Sequence, residues 1–472
     1  MATVDASPTK EFFIKMLTRD IALEDAILDL LDNCLDGIVR IKGDANKSTD
    51  SEYYKGYTAN IRITKNSFEI EDNCGGIPRE KAEKYAFRMG QTSDEKDHLP
   101  TVGIYGIGMK RAIFKIGKEA IVQSVHKNEA FSVDIPENWI DAKENWVFFI
   151  KKEEPNILPN NGTKIKITKL NDAVAAQFED DFQETFIDGL IDSIQASYSF
   201  IIEKGFEIFV NDKPVKALPI MLYVSEGKGQ KINPYIFKKS YSGDVNVSFV
   251  VGFYEPPPSD EIQDESAESK RTTPDAGWTI VCNDRIVLYN DKTHLTGWGE
   301  AQVPKYHTQF IGIRGIVVFE SKNPENLPMT TTKRGIDLSS PIYAEVKNRM
   351  REGIKIFTNF TNQWKGKKEE ERDFFGEAEK TPTASLLKGE HSSIFTYKSK
   401  NDGSTFFSPS LPVPNKEKTT EFIRFSKPTE EIEILRNYFT EGDKSILMSA
   451  SEVGASCFKS MLSKVKKDLK AK

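Results

Sequence analysis

Three short stretches of this chain carry side chains whose types and spacing suit chemistry. The first reads Asp29-Leu-Leu-Asp-Asn33-Cys-Leu-Asp36-Gly37. On a helix, Asp29, Asn33 and Asp36 stand one and two turns apart and share one face. The Asn33 amide oxygen is a hard ligand suited to Mg²⁺. Asp29, a turn earlier, is placed to orient and deprotonate a water aimed at a phosphate. The second stretch is Glu71-Asp72-Asn73-Cys74-Gly75-Gly76-Ile77. It sets a carboxylate at a strand end over a tight glycine turn, where backbone can approach a ligand closely. A carboxylate is an acceptor and suits the exocyclic amine of adenine. The third is Gly103-Ile-Tyr105-Gly106-Ile107-Gly108-Met109-Lys110. Glycines ahead of a helix start leave backbone N–H groups free for phosphate oxygens, and Lys110 adds a point charge. Taken singly, such stretches are more often a solvated helix face, an ordinary turn and a loop.

The elements that must hold these groups follow from periodicity. Residues 17–39 repeat apolar side chains at helical spacing, with Ile21, Leu28, Leu31, Leu35 and Ile38 on the stripe. Residues 60–71 alternate like two strands joined at Lys65-Asn66. Residues 79–88 and 105–117 read as helices, with the polar segment 91–101 between them as a loop. Strands follow at 120–125, 131–135, 146–151 and 163–169. Strands on one face and helices on the other predict a two-layer α/β sandwich over residues 1–170. A second unit, 171–364, opens with a helix near 182–199 and continues with strands at 206–210, 245–253, 279–282 and 315–319. A helix at 342–364 closes it. Within it, 255–276 is proline- and acid-rich and reads as a disordered insertion. Residues 365–428 read as a linker that starts with a charge run, and 429–472 as a small helical module.

In this order, followed by Gly162-Thr163 opening a strand, the motifs resemble the four boxes of the GHKL ATPase superfamily, the Bergerat fold. The glycine loop and the run after it look most like the MORC-like and MutL-type branches. The resemblance covers residues 20–170. It implies that ATP and Mg²⁺ are bound: Asn33 holding the metal, Asp72 the adenine amine, and Gly76 and Ile77 shaping the base pocket. Gly103, Tyr105, Gly106, Ile107, Gly108, Met109 and Lys110 would form the lid and phosphate cradle. Asp36 would line the site, and Thr163 would sit near a water-bridged adenine contact. In those branches a ribosomal-protein-like α/β transducer follows and supplies a lysine to the γ-phosphate. Lys333, in Leu327-Pro-Met-Thr-Thr-Thr-Lys333-Arg334-Gly335, is the candidate. The chain departs from the pattern twice. Asp29 stands where the family usually carries Glu, one methylene longer, so slow hydrolysis is expected. Cys74 replaces a glycine, and it has no partner motif that would suggest zinc.

The bulk numbers set limits. The 472 residues carry a net charge of −6, which argues against a generally basic nucleic-acid binder while leaving room for a local basic groove. No apolar run is long enough for a membrane span. The N-terminus lacks a secretion signal. Four scattered cysteines suit a reducing cytoplasm rather than a disulfide framework. The expectation is a cytoplasmic ATPase acting as an ATP-gated clamp that homodimerises on nucleotide, with DNA handling or anti-phage defence as its output. A partner protein is expected at the C-terminal module. The alternative is a non-hydrolysing nucleotide-binding scaffold that needs a partner for output. A histidine kinase is disfavoured, because no histidine precedes Asp29. The aromatic stretch 277–299 is read as core of the second sheet rather than as a partner surface.

Overall fold

The computed structural model describes residues 9–43, 50–89, 107–141, 146–226, 231–257, 275–330, 333–365, 373–390, 394–414, 423, 426–442 and 448–470. All of segment 91–101, all but the rims of the 255–276 insertion and nearly all of the 365–372 charge run lie outside these residues. Two units are distinguished, 1–414 and 415–472.

Among the described residues the first unit holds two large sheets and a two-stranded one. In the first, α1 (Lys10–Arg19) is capped by Thr9, whose Oγ1 accepts from the Phe12 N–H, and α2 (Leu23–Lys42) follows after a short break. The single helix expected over 17–39 is thus two, divided at Asp20 to Ala22. The hairpin β1 (Thr58–Thr64) and β2 (Ser67–Asp72) turns at Lys65-Asn66 as its alternation predicts. The helix expected at 79–88 is only α3 (Arg79–Lys81) running into a π-turn. Then come α4 (Gly108–Ile116), β3 (Gly117–His126), β4 (Glu129–Ile135), β5 (Ile150–Glu153) and β6 (Gly162–Leu170). The strand expected at 146–151 therefore starts later, at Ile150.

The first layer does not stop at 170. After α5 (Asp172–Gln177) and α6 (Asp180–Glu203), β7 (Glu207–Val210) pairs parallel with β1, and β8 (Lys213–Pro214) pairs with β7. The sheet order is β5-β4-β3-β6-β2-β1-β7-β8. Leu190, Ile194, Tyr198, Ile201 and Val215 share one core with Ile27, Leu31, Ile61 and Ile113. The boundary expected at 170 thus falls inside this body, because α6 buries its apolar stripe against the first sheet.

The second sheet is built from β10 (Tyr235–Tyr241), β11 (Val245–Phe253), β12 (Gly277–Cys282), β13 (Arg285–Asp291), β14 (Ile313–Ser321), β16 (Lys398–Ser399) and β17 (Thr405–Phe407). Its order is β13-β12-β14-β11-β10-β17-β16, with β13 and β16 at the edges. Helix α7 (Pro341–Gln363) covers one face, through Met350, Ile354 and Phe357. The other face packs on β9 (Met221–Val224) and α8 (Thr383–Lys388). Trp278 and Trp298 are buried, as their reading as core requires.

Residues 373–414 are not a linker. β15 (Glu379–Pro382) pairs with β9, β17 (Thr405–Phe407) extends the sheet from β10, and β16 (Lys398–Ser399) pairs with β17. Phe375, Leu386 and Phe395 are buried. A few well-placed aromatics outweigh the polar composition, since each removes a large apolar area from water.

The second unit contains α9 (Thr429–Phe439) and α10 (Ala450–Lys470). Ser449 and Glu452 cap α10 reciprocally: Ser449 Oγ accepts from the Glu452 N–H (3.2 Å), and Glu452 Oε2 accepts from the Ser449 N–H (2.6 Å). Among the described residues no helix is long and apolar enough to cross a membrane.

Candidate nucleotide site

Helix α2 lies between the first sheet and the second body, so nearly all of its length is buried. Between Ala26 and Val39 Asn33 alone is exposed, while Asp29, Asp32 and Asp36 around it are buried. An oxygen donor on the open side, with carboxylates a turn away, is a hard-ligand set that suits Mg²⁺.

Asp29 does not stand alone. Arg111, in the first turn of α4, donates to its Oδ2 from Nη2 at 2.5 Å and from Nε at 3.2 Å. Burial raises the Asp29 carboxyl, with Lys333 and Arg111 opposing. Gly108 sits directly over this carboxylate, where a Cβ would lie 3.4 Å from the Asp29 Cβ. Lys110 turns the other way: its buried Nζ donates to the Ala86 carbonyl at 2.8 Å, and burial lowers its pKa to about 8. Ile107 and Met109 flank this start of α4. Gly103, Tyr105 and Gly106 lie outside the described residues.

The residue of this helix most heavily engaged is Asp32, which the sequence did not single out. Lys333 Nζ donates to its Oδ2 at 2.8 Å. Arg285 Nε and the Tyr198 hydroxyl donate to Oδ1 at 3.0 and 2.6 Å. All four side chains are buried. Burial pushes the Asp32 carboxyl up, but Lys333 and Arg285 outweigh it and hold it down at about 2. Arg334 reaches Asp25 two turns earlier, at 2.7 Å. The 327–336 loop, closed by the Met329–Ile336 bridge, therefore straddles α2 with two cations. Lys333 holds a left-handed backbone, φ 58°, a costly conformation that the pairing with Asp32 maintains.

Arg285 comes from a two-residue hairpin turn, Asn283-Asp284, with both φ positive (48° and 72°). Its Nη1 also donates to the Ser197 carbonyl at 3.0 Å. Asp284 accepts from the Tyr54 hydroxyl (2.9 Å) and from Lys204 Nζ (2.7 Å). The tip of the second sheet is thus anchored in the first body. The Asn-Asp turn was the available signal; its distant partners were not.

On the opposite flank of α2, Asp72 ends β2. Its Oδ1 accepts the Cys74 N–H at 2.7 Å, and Cys34 Sγ lies 3.6 Å from Oδ2. Burial lifts the carboxyl to about 6, against the bonds from Cys74 and Cys34. Gly76, φ 67°, passes so close to β3 that a Cβ would fall 2.1 Å from the Val125 carbonyl oxygen. The Ile77 N–H donates to Ser124 Oγ (2.7 Å), which lies 3.5 Å from Thr163 Oγ1 and donates to the Gly162 carbonyl. Asp72, Gly76, Ile77 and Thr163 therefore surround one spot where β2, β3 and β6 meet. The Cys34 and Cys74 thiols are free and buried here. Hydrogen bonding to Cys74 and burial push the Cys34 thiol up, and burial pushes up that of Cys74.

Residues 21–161 match the family model for Histidine kinase-, DNA gyrase B-, and HSP90-like ATPases. The segment from α2 to the turn before β6 is thus similar to the GHKL superfamily, whose ATPase domains in general bind ATP with Mg²⁺. No curated protein matches the chain.

Proposed function

We propose that this protein binds Mg-ATP between α2 and the glycine loop, hydrolyses it, and uses the nucleotide state as a conformational switch. The observation that carries the reading is Lys333 of the 327–336 loop beyond β14, seated on Asp32 next to Asn33. A cation so placed can stabilise charge on a transferring phosphoryl group and report nucleotide state to the second sheet. Asn33 would hold Mg²⁺, which supplies charge neutralisation at the phosphates. Asp72 would accept from the adenine amine beside Gly76, Ile77 and Thr163, and Asp36 would line the site. Asp29 would take a proton from the attacking water once Arg111 turns toward phosphate. In this reading the arrangement follows the MORC-like and MutL-type branches. ATP brings two copies together, with DNA handling or anti-phage defence as the output and a partner protein at the 429–472 module.

One observation favours a second reading, a nucleotide-binding scaffold that does not hydrolyse. Asp29 has the short side chain and is already forked by Arg111. The two readings part on phosphate release from Mg-ATP, measured beside Asp29→Ala and Asn33→Ala. Release that vanishes in Asp29→Ala, with ATP still bound, supports the enzyme. ATP bound without release by the unaltered chain supports the scaffold. Normal Mg-ATP affinity in Asn33→Ala overturns the pocket itself.

A further inference from the structure

The two thiols of the nucleotide site are far apart in sequence and share no motif. Helix α2 brings Cys34 onto the turn that carries Cys74, and Gly37, a turn later, is pressed so close that a Cβ would sit 2.4 Å from the Cys74 carbonyl oxygen. The sulfurs of Cys34 and Cys74 and a carboxylate oxygen of Asp72 all lie within 4.8 Å of one another. Cys34 Sγ to Asp72 Oδ2 is 3.6 Å.

These spacings can be compared with what a metal ion demands. With Zn–S near 2.3 Å and Zn–O near 2.1 Å, neighbouring donors on a tetrahedron stand roughly 3.5–3.8 Å apart. The measured sulfur–oxygen edge falls in that range, and the remaining edges need at most a shift of about 1 Å. Two sulfurs with one carboxylate form a soft donor set, which selects zinc-class ions over magnesium. Three protein ligands leave one position of the tetrahedron for water.

We propose that Cys34, Cys74 and Asp72 form a binding site for a thiophilic divalent cation of the zinc class, and that occupancy of this site excludes nucleotide. Binding releases the two thiol protons to solvent, and the resulting thiolates and the Asp72 carboxylate carry the ion. The exclusion rests on the reading of Asp72 as the adenine acceptor, because one carboxylate cannot serve both ligands. The site is separate from the magnesium position at Asn33, whose donors are oxygens.

The test titrates the reduced full-length chain with Co²⁺ and follows sulfur-to-cobalt charge-transfer absorption. One equivalent should bind with tetrahedral d–d bands, and Zn²⁺ should bleach them. Cys34→Ala and Cys74→Ala should each abolish the bands, whereas Cys282→Ala and Cys457→Ala should keep them. Asp72→Asn, which leaves both thiols in place, should weaken cobalt binding at least tenfold and covers the case in which a cysteine variant misfolds. Absence of thiolate–cobalt bands in the folded chain, or bands that persist in Cys34→Ala, overturns the site. ATP affinity is then measured at one fixed total zinc concentration in the unaltered chain and in Cys34→Ala, so that chelation by the triphosphate is common to both. A tenfold or greater weakening confined to the unaltered chain supports exclusion; equal affinities overturn it. Cobalt bands in a chain that never binds ATP would support the metal site and defeat the nucleotide reading alone.

Discussion

Replacing Asp32 by Asn tests the seam between the two sheets most directly. The side chain keeps its shape and one acceptor, but Lys333 and Arg285 lose their shared counter-charge. Two estimates bound the cost. An Asp32 carboxyl held at about 2, below the ordinary aspartate value of about 3.9, corresponds to roughly 2–3 kcal/mol at neutral pH. Removing one partner of a buried pair costs about 3–5 kcal/mol. The larger range is the better guide, because Arg285 and Lys333 are both stranded in a buried setting. Residues 1–414 form one unit, so at about 2.1 cal/mol/K per residue the unfolding entropy is near 0.9 kcal/mol/K. Calorimetry should then show Tm falling by roughly 3–6 °C. Combining Asp32→Asn with Lys333→Met should cost less than the sum of the single changes by about 1 kcal/mol or more, since the second change removes a stranded cation. The pH dependence has a definite sign. The folded carboxyl titrates below its unfolded value, so its stabilisation is full above about pH 5 and is lost progressively as pH falls through 2 toward about 1. The gap between the unaltered chain and Asp32→Asn should close over that interval. A drop in Tm below about 1 °C, or a gap as wide at pH 2 as at pH 7, would refute the assignment of Asp32 as the charged anchor.

Two further outcomes are expected. Burial lifts Asp72 to about 6, and in the proposed reading it accepts from adenine as the carboxylate, so ATP affinity measured by calorimetry should weaken about tenfold between pH 7 and pH 5. In Asp72→Asn only the nucleotide's own titration should remain. A chain ending at Trp364 loses the strands paired with β9 and β10 and the buried Phe375, Leu386 and Phe395, so its thermal transition should drop by many degrees or broaden. One ending at Pro414 should melt like the intact first unit and bind ATP unchanged.

How much of this was legible beforehand depends on the range of the interactions. The β1–β2 hairpin, the strands β3 and β6 and the helix carrying Asn33 could be read, because periodicity and turn residues act locally. The parallel pairing of β7 with β1 could not, since the partner strand lies far along the chain and a four-residue strand has no distinctive pattern. The break before Leu23 was hidden because Leu17 and Ile21 continue the apolar rhythm across it. At the candidate site, Asn33, Asp72, Gly76 and Gly108 draw attention by residue type. Asp32 looked like one acid among several, and its importance lies in Tyr198, Arg285 and Lys333, which only tertiary structure delivers. Lys110 shows the converse: its type suggested a phosphate contact, but its aliphatic stem and burial take it to the Ala86 carbonyl.

The Asn283-Asp284 hairpin tip also bears on how this protein can be taken apart. The connection between the sheets around Leu218 is exposed and irregular, an inviting place for a protease. Yet the fragments on either side would remain joined by Tyr54 and Lys204 gripping Asp284, by Arg285 and Lys333 gripping Asp32, and by Arg334 on Asp25. A nicked molecule should migrate as one species through a sizing column and separate only in denaturant. For the same reason neither half is a portable cassette: transplanted alone, each would carry orphaned ions on the face where its counterpart used to be.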